Sequence, residues 1–252
     1  MLLSKGSTVA AVTVGALAVI KLEGTEFMKL NKNLIFLEIA IFVIIVVLDA
    51  LGVLPITQTI YLIPLIWIAL KFQKEKFKSI GFEKGRLSLW KSIVFGSILG
   101  IMLEVFATYL TTPLLSQLFG HEPILTNFNG IEGNLKLLIF YILLSWIIAA
   151  FGEEICFRGF LMNRIAKLFG NSRTAWIISL FLSSVLFGWG HTEQGITGWI
   201  QEGLSGLFLG IMFLASGKNL VIPIVSHGVS NTLAFILIYL AHCVLNVVEC
   251  KN

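Results

Sequence analysis

Residues 137–159 read LLIFYILLSWIIAAFGEEICFRG. An apolar run from Leu137 to Ala150 carries two adjacent carboxylates, Glu153 and Glu154, and an arginine, Arg158, to the end of a greasy helix. Ionisable groups at membrane depth are costly, and those that persist face a protein interior or a wet cavity and mark a functional site. Spacing gives the two acids different work. Glu154 and Arg158 are four apart with the acid N-terminal, the favourable helical orientation for an ion pair. Glu153 lies about 100° round an α-helix from Glu154 and lacks that partner. One acid reads as structural and the other as available for chemistry.

The chain around this stretch has 252 residues, 57% of them hydrophobic and 13% charged. Its mean hydropathy is +0.92, whereas a soluble domain carries roughly 25% charged residues. This composition belongs to an integral membrane protein. A membrane-crossing helix needs about 20 mostly apolar residues, and seven stretches qualify approximately: 34–54, 57–71, 91–112, 135–157, 174–191, 196–216 and 219–247. The expected fold is an all-α, polytopic transmembrane bundle of about seven spans, set in the cell membrane. Residues 28–252 form one domain, since no linker or low-complexity stretch divides them. Residues 1–27 read as a non-native or poorly ordered extension, because Ser7 to Ile20 is too short to span and Met28 opens a more typical start.

A sequence pI of 9.0 raises nucleic acid as a partner, but topology accounts for the charge. With the N-terminus inside, 16 of the 18 basic residues, Arg158 and the run from Lys71 to Lys91 among them, fall on the inner side, as the positive-inside rule expects. The Lys71–Lys91 loop reads as amphipathic and drawn to anionic lipid. No nucleic acid is expected as partner; membrane lipid is. The three cysteines form no spaced framework, which excludes a disulfide scaffold and a thiolate zinc site. Glu38 and Asp49 read as packing or interfacial groups, His121 as an ordinary exposed histidine, and Gly206 and Gly210 as a small-residue face that lets helices approach.

Two further polar clusters lie in apolar stretches: Phe187-Gly-Trp-Gly-His191, and His227-Gly-Val-Ser-Asn231, whose His227 and Asn231 share a helical face. If the helix bearing Glu153 turns at Gly170-Asn171, Glu153 lies about 25 Å above the turn and His191 about 27 Å along the returning helix. His227 stands only about 12 Å from its own turn at Gly217–Asn219, so tilt, a broken helix or a deeper-set turn must bring it level. A glutamate and a histidine beside a water can activate it as a nucleophile. A histidine and an amide aimed at one point can stabilise an oxyanion. Together they suffice for amide hydrolysis without a serine or cysteine nucleophile.

In their order, Glu-Glu-x-x-x-Arg (153–158), Phe-x-x-x-His (187–191) and His-x-x-x-Asn (227–231) resemble the CPBP family of intramembrane proteases over roughly residues 135–235. That family includes the type II CAAX prenyl endopeptidases and bacteriocin-processing or self-immunity proteins. The resemblance implies that Glu153 and His191 activate water, that His227 and Asn231 form an oxyanion hole, and that Glu154 with Arg158 supports the site. The expected activity is endopeptidase cleavage of a membrane-associated peptide or a lipidated protein C-terminus. A metal-free route is favoured. Zinc held by Glu153, His191 and His227 is the alternative, as three ligands with one open position. A non-catalytic bacteriocin self-immunity or regulatory membrane protein is the competing function. Cys156 as a nucleophile carries little weight, lying between Glu154 and Arg158 with no nearby histidine. The sequence fixes neither the substrate nor an oligomeric state.

Overall fold

The computed structural model describes residues 32–249 except Lys84, with backbone alone for 242–249. The stretch 1–27 lies outside the described residues. Seven long helices occur among the described residues: α1 Lys32–Ala50, α2 Gln58–Phe72, α3 Leu89–Phe119, α4 Leu135–Leu168, α5 Arg173–Trp189, α6 Gly195–Ala215 and α7 Val221–Glu249. No strand is present among these residues. Five of the helical segments are long and apolar enough to cross a membrane, while α2 and α5 are shorter apolar helices of 15 and 17 residues. At 1.5 Å per residue those two are about 22 and 26 Å long, short of a hydrocarbon core of about 30 Å. Large apolar side chains such as Phe36, Trp67, Met102 and Phe140 lie exposed, a surface suited to lipid rather than water.

The principal core joins α1, α2, α4, α5 and α6 through Phe42, Leu62, Phe157, Phe160, Phe187 and Phe213. Helix α3 approaches α7 closely, where a Cβ on Gly100 would lie 2.5 Å from the Ser226 carbonyl and one on Gly96 2.9 Å from Val225. The α6 glycines act similarly, Gly206 against Phe187 and Gly210 against Leu180.

The bends follow from local chemistry. After α4, Gly170 adopts φ +84°, and the Asn171 N–H bonds the Ala166 carbonyl at 2.6 Å, a glycine-based helix stop. Ser172 then caps α5 by accepting from the Ala175 N–H at 3.1 Å. At the entry to α2, the Asp49 carboxylate accepts the Gln58 N–H at 2.9 Å. The segment after α2 is docked on the protein: Ile80 is buried, Gly81 and Leu220 share a backbone hydrogen bond of 2.9 Å, and Glu75 binds Arg164 and Lys167.

The interior of α4 departs from the α-helical expectation. Ser145–Leu161 is π-helical, with the Met162 N–H reaching back five residues to Phe157, which widens the turn and lowers the rotation between Glu153 and Glu154. Arg158, counted above among inner-side charges, is instead buried at 1% exposure within this segment. It belongs to the bundle core because a buried carboxylate neutralises it there.

Candidate active site

Glu153 stands near the middle of α4, where shorter helices end around it. The close of α1, the start of α2 and the end of α5 meet there and leave a cavity of about 240 Å³ lined by Asp49, Gln58, Asn127, Glu153, His191 and Glu193. His191 follows the last turn of α5. Its backbone N–H bonds Gly188 at 2.8 Å, leaving the Phe187 carbonyl without its helical donor. The imidazole Nδ1 takes that place at 2.8 Å. A carbonyl only accepts, so Nδ1 carries a proton and, in the neutral ring, Nε2 keeps the lone pair.

His227 and Asn231 lie one turn apart on α7 and line a second cavity of about 330 Å³ with Glu104, Phe187, Gln201 and Glu202. The deeper-set turn is what raises His227 to this level. The α6–α7 turn sits against Gly159, where a Cβ would meet Leu220 Cδ1 at 3.1 Å and the Ile80 carbonyl at 2.6 Å. Gly228 lets the Trp146 indole lie directly on α7, 2.6 Å from where a Cβ would stand, and Trp146 Nε1–H donates to Thr232 at 3.0 Å.

The four residues singled out as reactive therefore line two cavities, Glu153 with His191 and His227 with Asn231. Glu154, Arg158 and Phe187 link the two pairs. His227 Nδ1 lies 3.0 Å from Glu154 Oε1, and the same oxygen accepts from Arg158 Nη1 at 2.8 Å. Arg158 Nη2 donates to the Gly206 carbonyl at 2.9 Å, and its guanidinium stacks 4.3 Å from the Phe187 ring centroid. That ring lies 5.0 Å from the His191 ring and 6.2 Å from the His227 ring. Glu153 is within electrostatic reach of both histidines and of Glu202.

Sequence reading did not single out several of these groups. Glu104 is held by Ser230 at 2.8 Å and Thr108 at 3.1 Å, next to Asn231. Gln201 accepts from Thr111 at 2.6 Å. Glu202 and Gln58 reach the cavities from helices distant in sequence, and a lone Glu or Gln in an apolar helix was the only available signal; Asp49, read above as a packing or interfacial group, also lines the Glu153–His191 cavity. Glu38 packs as a structural group, 2.6 Å from Arg164. His121 is exposed, with its carbonyl accepting from Thr197 at 2.8 Å. Cys156 is buried in the apolar core.

Among the described residues no three His, Cys, Asp or Glu side chains gather as a metal donor set. Glu153, His191 and His227 do not come together there as one such set.

Residues 135–233 match the family model described as type II CAAX prenyl endopeptidase Rce1-like. Over this segment the chain is similar to the CAAX protease family. The matched segment contains all three polar clusters and runs from α4 into the first half of α7, and leaves α1–α3 unmatched. The family is one of membrane-embedded endopeptidases, in keeping with the long apolar helices here. No curated protein and no solved structure matches the chain.

Proposed function

We infer that this chain is a multi-pass endopeptidase of the cell membrane that cleaves a membrane-associated peptide or a lipidated protein C-terminus with water as nucleophile. Glu153 takes a proton from the water, and His191, through its free Nε2, shares the task. The water oxygen bonds the scissile carbonyl carbon. His227 and Asn231 donate to the oxyanion that forms. With the His227 Nδ1–H on Glu154, a second proton on Nε2 makes the ring an imidazolium, and the Glu154 carboxylate stabilises that charge. Collapse of the intermediate expels the amine, which receives the proton first taken from water.

The observation that carries this reading is the pairing of Glu153 with His191 on one cavity, with His227 tied to the very next residue, Glu154. Purified protein is offered a farnesylated peptide with a CAAX-type C-terminus and an unlipidated leader-type peptide. At least one should be cut by the wild type and neither by Glu153→Ala; equal cleavage by both proteins would remove the hydrolase. Cellular function that survives Glu153→Gln and His227→Ala but depends on the exposed loops would assign a non-catalytic immunity or regulatory role instead.

A further inference from the structure

The α1–α2 turn lies outside the family-matched segment, yet Asp49, Thr57 and Gln58 form one wall of the Glu153–His191 cavity. Gln58 is 2% exposed, and its amide oxygen has no hydrogen-bond partner among the described residues. Buried carbonyl oxygens in native proteins are almost always paired, with protein or with ordered water. The residue that carries this one lines a polar cavity large enough to hold water.

The amide is not free to turn away. Asp49 fixes the Gln58 backbone at 2.9 Å. Thr59, the next residue, packs on Gly152, where a Cβ would come 2.5 Å from Thr59 Cγ2. Gly190, immediately before His191, has φ −62° and ψ −5°, which any residue adopts. Its lack of a side chain serves packing instead: a Cβ there would lie 2.5 Å from Gln58 Nε2. The Gln58 amide thus rests on the turn that presents His191.

We propose that Gln58 is a further catalytic residue, whose amide oxygen accepts a hydrogen bond from the hydrolytic water and orients it. One water O–H points at Gln58 Oε1 and the other at Glu153 or His191, which takes that proton, while the oxygen lone pair faces the scissile carbon. As the O–C bond forms, the carbonyl π electrons move to the oxyanion, while Gln58 keeps all its own bonds. The proposal rests on the reading of Glu153 and His191 as the water-activating pair, and places part of the machinery outside the matched segment.

The test has two arms. Structures of the full chain in lipid, for wild type and Gln58→Met, should show a water within hydrogen-bond distance of Gln58 Oε1 and of Glu153 that Gln58→Met lacks, with His191 unmoved. A dry cavity, or a water held there without Gln58, overturns the proposal. On a farnesylated CAAX-type peptide, Gln58→Met should lower kcat about 10- to 100-fold at near-constant KM, the scale of a misoriented reactant. Gly190→Ala, which pushes on the same amide, should do likewise, and the double variant should be no worse than either single one. Full kcat in both single variants beside a dead Glu153→Gln overturns the Gln58 role and leaves the water-activating pair standing. Cleavage by Glu153→Gln equal to wild type removes that pair itself. If the peptide is not cut, the structural arm decides.

Discussion

At the residue scale the decisive group is Glu154, one oxygen of which serves both Arg158 and His227. Helical spacing foretold the Glu154–Arg158 pair, because both lie on one element. It could not foretell the partner on α7, which depends on the depth of a distant turn. Arg158 is fixed by the carboxylate, the Gly206 carbonyl and the Phe187 face together. Removing one member of a buried ion pair leaves an uncompensated charge, at a cost of about 3–5 kcal/mol. Arg158→Ala should lose stability on that scale. Arg158→Lys should recover only part of it, since an ammonium cannot make the forked and stacked contacts. Denaturation in detergent micelles measures both, and wild-type stability in Arg158→Ala would contradict this placement.

At the element scale, the seven apolar stretches were legible, and the expected 57–71 and 196–216 fall within a residue of α2 and α6. Helix length follows from composition, and so does the stop at Gly170-Asn171. The π-helical interior of α4 was not legible, because hydropathy does not distinguish an i→i+5 ladder from i→i+4. The docking of the loop after α2 was also hidden, since its anchor is Glu75 beside Arg164 and Lys167, about 90 residues away. Burial alone would raise the Glu75 pKa. The Lys167 hydrogen bond and the charges of Arg164 and Lys167 outweigh it and hold the carboxyl below its ordinary value. A carboxyl depressed on folding stabilises fully above its unfolded value of about 4.3 and loses that contribution as pH falls through the folded value. The stability difference between wild type and Glu75→Gln should therefore be constant near neutrality and shrink below about pH 4.3. A difference that grows on acidification would contradict the clamp.

At the scale of the whole molecule, the basic residues of the segment after α2, of the α4–α5 turn and of the α6–α7 turn gather at one end of the bundle, where Lys218 also lies 3.7 Å from the Trp176 ring. The Glu153–His191 cavity lies toward the other end and takes Asn127 from the α3–α4 loop into its lining. The positive-inside rule puts the basic end in the cytoplasm. In a cysteine-free chain in sealed vesicles of known orientation, Asn127→Cys should react with a membrane-impermeant thiol reagent from the side opposite to Lys218→Cys; labelling of both from one side would overturn that topology. The central claim is that this polar interior, assembled from elements inside the matched segment and N-terminal to it, activates water through Glu153. The most direct measurement is the single-turnover hydrolysis rate of a cleavable peptide by wild type and by Glu153→Gln, with folding checked for each. Loss of a general base predicts a fall of about 10²- to 10⁴-fold with the fold intact, and a Glu153→Gln rate within a fewfold of wild type would contradict it.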